Sequence, residues 1–338
     1  MNKKNNLINF NKVYYEKEVL NYEQGRKILK MYKDIPQIEI KSHNSIKELQ
    51  SSENKDFTKL KRYLIIGIRK THKYVENFKV SDYLVPYTSS GCSAMCLYCY
   101  LVCNYNKCSY LRIFVNRDEM INRIIKKVNA SDKELTLEIG SNSDLILENL
   151  ITNNLTYTIE EFAKNGRGYL TFPTKFHMVD DLLKLNHKGR IIVRMSVNPK
   201  YIISNVELLT SSLEKRVDAI NKLVDSGYKV GILVAPVILL DDYKQLYLEL
   251  IEYLDKNLST KAKEIIFFEV IFMTYSYVHT QINKEAFPKA VKIYDEEKMR
   301  GRGRGKYMYK NNCLNEGKEY IEYLLKTYFP NNKIVYVV

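Results

Sequence analysis

The sequence has no apolar run long enough to cross a bilayer. The longest clean one, Val230 to Leu240, falls well short of the roughly 20 residues a spanning helix needs and suits a buried strand. The N-terminus, MNKKNNLINFNK, has neither a long apolar core nor a cleavage signature, so secretion is not expected and a cytoplasmic location is. No internal repeat is present, so the chain is not a repeat array. The histidines His43, His72, His177, His187 and His279 show no metal-ligand spacing and receive no role. Acidic residues are in the minority, and the formal net charge is +14. That balance suits phosphate partners. The abundance of Lys, Asn, Ile and Tyr expected of an AT-rich genome explains it equally well.

What is present is a core, a rhythm and a cysteine cluster. Hydrophobic residues make up 45% of the 338, enough for one large barrel-type domain with attachments or for two ordinary domains. Residues 1–60 are polar and lysine-rich with helical patches such as Tyr15–Tyr32, and Ser42–Asp56 reads as a polar connection. From about residue 64, short β-rich runs alternate with amphipathic segments. The strands expected are Leu64–Ile68, Tyr83–Tyr87, Leu135–Ile139, Tyr169–Phe172, Arg190–Met195, Val230–Ala235 and Ile265–Ile271. Helices are expected over Arg117–Val128, Val179–Leu185, Leu213–Ser226, with Gly227 as its C-cap, and Tyr243–Leu258, with Asp241-Asp242 at its start. Near-continuous apolar strands are buried on both faces, and alternation with helices implies parallel crossovers. Six strands from Tyr83 onwards fit an incomplete (β/α)6 barrel over 61–275, with a helical N-terminal extension (1–60) and a C-terminal α+β extension (276–338).

Parallel barrels carry their chemistry at the C-terminal ends of the strands. Those ends read TSSGCSAMC, GSNSD, TKFH, SVNP, APVI and MTYS, small and polar where a site would lie, although ordinary turn chemistry gives similar wording. Five of six cysteines fall between Cys92 and Cys108, which points to metal or redox chemistry rather than disulfides in a cytosolic chain. Cys92, Cys96 and Cys99 have C-x3-C-x2-C spacing directly after an early strand. Three thiolates on a short loop hold three irons of a 4Fe-4S cluster and leave the fourth open. S-adenosylmethionine can chelate that iron and be cleaved reductively to a deoxyadenosyl radical. The rival is a closed tetrahedral zinc site using the same cysteines with Cys103 or Cys108.

The segments VPYTSSGCSAMCLYCYL, EIGSNSD, FPTKF, RMSVNP, GYKVGILVAPV and GRGKYMY, in that order, resemble the spore photoproduct lyase family, a DNA-repair branch of the radical S-adenosylmethionine superfamily. The wording is similar to its clostridial form. The resemblance runs from about residue 60 to the C-terminus. It implies a lyase that reverses a methylene-bridged thymine dimer in spore DNA. A radical takes hydrogen from the ring carbon beside the bridge, the bridge breaks, and a hydrogen donor quenches the released methyl. Carried over by motif, Cys92, Cys96 and Cys99 hold the cluster; Ser143, Lys175, Ser196 and Ala235 line the cofactor pocket; Tyr98 and Tyr100 take part in radical relay. Each has a plainer reading: Lys175 solvated, Ser143 a helix cap, the tyrosines packing residues. A reducing partner such as flavodoxin or ferredoxin is implied, and a spore-core location. Another radical enzyme on the same scaffold, or a metal-containing DNA-binding module, remains the alternative.

One departure stands out. Where many members carry a cysteine as hydrogen donor, this chain has Ser141, whose O–H bond is too strong. Cys103, four residues past Cys99, is the first substitute; Cys108 and a tyrosine follow, and both cysteines also read as small buried hydrophobes. The stretch Arg300-Gly-Arg302-Gly-Arg304-Gly-Lys306-Tyr307 is the expected contact to duplex DNA carrying the lesion. It is a flexible loop or hairpin tip whose charges can approach phosphates closely, with a solvated basic turn as the plainer reading. It matches neither standard nucleotide fingerprint.

Overall fold

The computed structural model describes residues 8–104 and 110–338. Six parallel strands form the barrel wall in the order they occur in the chain: Tyr83–Val85, Thr136–Ile139, Tyr169–Thr174, Ile191–Val197, Lys229–Val237 and Phe267–Phe272. They overlap the six expected strands, and their registers are parallel throughout. The sheet is open and curled, an incomplete barrel.

The helices between them follow from apolar spacing. Arg117–Asn129 buries Met120, Ile121, Ile124 and Val128, and Tyr243–Asn257 buries Tyr247, Leu250, Ile251 and Leu254. Both sets recur at three and four residues, which draws one stripe along a helix. Leu213–Asp225 ends as the sequence implies. Gly227 adopts φ 84°. Its N–H donates to the Val224 carbonyl, while the Tyr228 N–H reaches Leu223, the paired bonds of a Schellman cap. The expected helix at Val179–Leu185 is instead a chain of tight turns, with Leu182 N–H donating to Val179 and Leu185 N–H to Leu182. Seven residues rarely repay helix nucleation, and here Val179 and Leu182 dock on the core through i→i+3 turns.

The extensions are more structured than their composition suggests. The N-terminal segment has the expected helix over Glu23–Met31, but it also contributes two strands, Lys12–Glu16 and Gln37–Ile40. Lys12–Glu16 lies parallel between Gln37–Ile40 and Tyr63–Gly67, and the latter in turn pairs with Leu111–Phe114. The boundary expected near residue 60 therefore runs through a sheet. At the other end, Ile334–Val337 lies parallel to Phe267–Phe272 and extends the barrel wall past the boundary expected at 275. One hydrophobic core runs from Ile8 to Phe329.

Candidate functional site

The C-terminal ends of the barrel strands open into a cavity of about 310 Å³ lined by Cys92, Cys96, Cys99, Lys175, Ser196 and Ala235, among others. Strand alternation explains its floor. Glu138, Arg194 and Glu269 lie two residues before the wall residues Gly140, Ser196 and Ile271, so they face the same interior one layer deeper. Arg194 donates to Glu269 from Nε (2.7 Å) and Nη2 (2.8 Å) and to Glu138 from Nη1 (2.5 Å). The bottom of the barrel is thus closed by an ion-paired plug.

Three of the expected cofactor residues touch one another. Lys175 Nζ donates to Ser196 Oγ (2.6 Å) and to the Ala235 carbonyl (2.9 Å), and Ser196 Oγ donates to the same carbonyl (2.9 Å). Ser143 stands on the wall opposite and accepts from Ser89 Oγ at 2.7 Å. It is not the helix cap. Asp144 caps Leu145–Thr152, accepting from the N–H groups of Ile146 and Leu147. The same carboxylate accepts from Thr174 Oγ1 and the Lys175 N–H, which ties the second strand end to the third. Burial raises the pKa of Asp144 above the usual carboxylate range. Gly140 adopts φ 89°, and a Cβ there would meet Leu145 at 2.9 Å, so the turn from strand to capped helix admits glycine alone.

Glu207 organises this side of the cavity and has no counterpart in the motifs. It follows the short helix Lys200–Asn205 and pairs backbone to backbone with Cys96. Its fully buried carboxylate accepts from Lys175 Nζ (2.9 Å), Asn198 Nδ2 (2.8 Å) and Arg216 Nη2 (2.6 Å), and from the hydroxyl of Tyr98. Burial pushes the carboxyl up, but the cations of Lys175 and Arg216 outweigh it and bring the pKa down to about 2. Burial, reinforced by that carboxylate, pushes the Tyr98 phenol well up. Tyr100 also lines the cavity, at 54% exposure.

Cys92, Cys96 and Cys99 line the same cavity. All three are unpaired. Among the described residues no three His, Cys, Asp or Glu side chains converge as a single ion requires. Buried Ser93, inside the loop, has a hydroxyl with no protein partner. Burial lifts the Cys92 thiol to about 12 and pushes the Cys96 thiol well above its ordinary value. Thiolates in such a place need positive charge beside them.

Cys103 lies off the wall. It is exposed, its sulfur 3.1 Å from Ser276 Oγ and 3.7 Å from His279 Nε2. Cys108 lies outside the described residues. The basic stretch forms a hairpin, Met299–Gly303 with Lys306–Tyr309. Arg304 and Gly305, both at positive φ, make the two-residue turn that matches strand twist. Its third strand, Thr274–Ser276, begins at the cavity rim. Arg302, Arg304 and Lys306 are exposed, while Arg300 donates to Asn311 at 2.8 Å and Tyr307 packs on Tyr294.

The sequence matches the spore photoproduct lyase family over residues 9–338. The chain belongs to that family. It is 33% identical over 333 residues to the spore photoproduct lyase of Bacillus subtilis, covering 96% of this chain and 97% of that one. It is 30% identical over 340 residues to that of Clostridium acetobutylicum, covering 97% and 99%. Among solved structures, it superposes with TM-score 0.90 on a spore photoproduct lyase mutant with bound AdoMet and dinucleoside spore photoproduct. There the sequence identity is 28% and coverage is 97% of this chain and 99% of that one. A spore photoproduct lyase complexed with dinucleoside spore photoproduct gives the same TM-score, covering 98% and 99%. The spore photoproduct lyase family thus accounts for the barrel, and for the extensions on both sides of it.

Proposed function

We propose that this chain is a radical S-adenosylmethionine lyase that repairs the spore photoproduct, a methylene-bridged thymine dimer, in DNA. One observation carries the reading. Three unpaired cysteines and the hydrogen-bonded set Lys175, Ser196 and Ala235 share one cavity in a chain of the spore photoproduct lyase family. Cys92, Cys96 and Cys99 would hold a 4Fe-4S cluster, with S-adenosylmethionine against Ser143, Lys175, Ser196 and Ala235. When bound and reduced, this pair supplies the deoxyadenosyl radical that opens the lesion.

The chain's own residues do the rest. Glu207 fixes the Lys175 ammonium where a cofactor carboxylate would meet it. The plug of Glu138, Arg194 and Glu269 closes the cavity to water from below. After the bridge breaks, a hydrogen atom must pass from a weak bond to the thymine methyl. Ser141 stands on the wall but cannot supply it. Tyr98 and Tyr100 line the same wall, and Cys103 donates its N–H to the Tyr100 carbonyl one turn behind. In this reading the Tyr100 O–H hydrogen moves to the methyl, the Cys103 S–H restores the phenol, and the thiyl radical left on Cys103 returns to the thiol by taking one electron from the electron carrier and one proton from water. The hairpin residues Arg300, Arg302, Arg304, Lys306 and Tyr307 would grip the duplex while the lesion flips into the cavity, which a distorted dimer does at lower cost than an intact pair. A small electron carrier such as flavodoxin or ferredoxin would reduce the cluster, in the cytoplasm of the spore core. No helix among the described residues is long and apolar enough to cross a membrane.

The test is anaerobic reconstitution with iron and sulfide, followed by assay on dinucleoside spore photoproduct. Wild type should yield two thymidines and form deoxyadenosine. The triple variant Cys92→Ala, Cys96→Ala, Cys99→Ala should do neither, and deoxyadenosine from it would sink the assignment.

A further inference from the structure

The loop that carries the three cysteines is held from outside the barrel. Lys61 Nζ donates to the Cys92 carbonyl at 2.7 Å, Asn283 Nδ2 to the Leu97 carbonyl at 2.9 Å, and His279 Nε2 to the Cys99 carbonyl at 3.0 Å. Lys61 comes from the N-terminal layer and is 0% exposed; His279 is 4% exposed. His279 and Asn283 sit one turn apart on the helix Tyr277–Ala286, so they face the loop together. The Ser276 N–H donates to His279 Nδ1 at 3.1 Å. That leaves the proton on Nε2, the nitrogen aimed at Cys99.

The two extensions also meet each other here. Asn54 Nδ2 donates to Glu285 at 2.8 Å, and Phe57 packs edge-on against Phe287 with ring centroids 5.8 Å apart. A second hydrophobic core joins Leu60 and Tyr63 of the N-terminal layer, Met95 and Val102 of the cysteine segment, and Ile282 of the helix. The helix begins against the basic hairpin, where the Tyr277 N–H donates to the Gly305 carbonyl at 2.8 Å.

We propose that Lys61, His279 and Asn283 are positioning residues for the iron–sulfur cluster, and that the two extensions close a clamp around its loop. A loop carbonyl turned inward must be satisfied, and removing a donor leaves it free to relax toward water. Relaxation at Cys92 or Cys99 moves a thiol away from the spacing that a cluster requires. The clamp thereby sets cluster retention, a task that the barrel alone does not perform. Its start at the hairpin turn places the DNA contact in the same rigid unit.

This rests on the cysteines holding a cluster, which iron and sulfide content of reconstituted wild type tests by itself. The clamp is tested in the full chain with Lys61→Met, His279→Leu and Asn283→Leu, and with the donor-retaining Lys61→Arg and His279→Gln. The readouts are the rate of iron loss to the ferrous chelator bathophenanthroline, the EPR spectrum of the dithionite-reduced protein, and thermal unfolding of the apo chain. Donor-less variants should lose iron about ten-fold faster, the factor a lost hydrogen bond from a charged or buried donor implies, with an altered EPR signal. The apo unfolding temperature should stay near wild type, and the donor-retaining variants should recover most of the difference. If wild type holds a cluster and the folded donor-less variants release iron at the same rate with the same spectrum, the clamp is wrong. It is equally wrong if iron loss merely tracks apo stability across all five variants. Should Lys61→Met and His279→Leu fail to fold, the half-buried Asn283 decides the matter alone.

Discussion

Lys175 shows how far single residues were legible. Its place at a strand end, with Ser196 and Ala235 at the next two, put all three on one rim before any coordinates. Glu207 was not legible, because nothing local marks it. It stands in ISNVELLT, outside any periodic strand, and becomes central only when the chain folds back on Cys96. The faint signal was a carboxylate in an apolar run, which must find partners if buried. Glu207→Gln should strand Lys175 and Arg216 without their counter-charge and destabilise the apo chain by about 3 kcal/mol. The pH dependence has a definite sign. The carboxyl is lowered from 4.5 to about 2 on folding, so the unfolded chain binds the proton more readily in that range. The stabilisation is present above about pH 4.5 and is lost as pH falls toward 2. Urea unfolding followed across that window should show a steeper loss in wild type than in Glu207→Gln. Equal slopes would mean that Glu207 does not carry the charge.

At the scale of elements, repeating patterns were read correctly and isolated ones were not. The helices at 117–129, 213–225 and 243–257 announce themselves through apolar spacing repeated over three or more turns. Val179–Leu185 offered a single turn of such spacing, and the tertiary docking of Val179 and Leu182 decided its shape. The basic stretch is an intermediate case. Alternating Gly and Arg suggested a flexible loop or a hairpin tip, and the structure makes it a tight hairpin joined to the cavity rim by Thr274–Ser276. No ion pair to Arg302 or Arg304 occurs among the described residues, so both guanidinium groups face solvent ready for phosphates. Arg302→Ala with Arg304→Ala should weaken binding to duplex DNA. It should also reduce the slope of log affinity against log salt by about two, one phosphate contact per arginine. Cofactor cleavage without DNA should persist. A salt titration that leaves the slope unchanged would reduce the hairpin to a solvated turn.

For the molecule as a whole, composition misled where it had suggested appendages. Residues 1–60 are polar, yet Lys12–Glu16 lies in a sheet beside Tyr63–Gly67, a strand buried along its whole length. The last residues are likewise part of the barrel. Ile334–Val337 covers the outer edge of the sixth strand, and the Phe272 N–H donates to the Val338 carbonyl at 2.7 Å. Strand pairing between distant segments has no period that a single sequence displays, so both extensions looked separable. Tyr336 ties the C-terminus to the interior, since its hydroxyl donates to Glu269, the carboxylate that also receives Arg194 in the barrel plug. Tyr336→Phe removes one donor from a fully buried carboxylate and keeps the ring. The expected loss is about 1–2 kcal/mol, toward the lower end of the range for a hydrogen bond to a charged group because Arg194 retains two bonds to the same carboxylate. Cutting the chain before Ile334 should do far more, exposing the edge of the sixth strand and freeing its backbone donors to pair with other chains. Denaturant unfolding of the point variant and sedimentation of the truncated chain would check both. If the truncated protein sediments as the full chain does with unchanged stability, the tail is an appendage, and the barrel ends at its sixth strand.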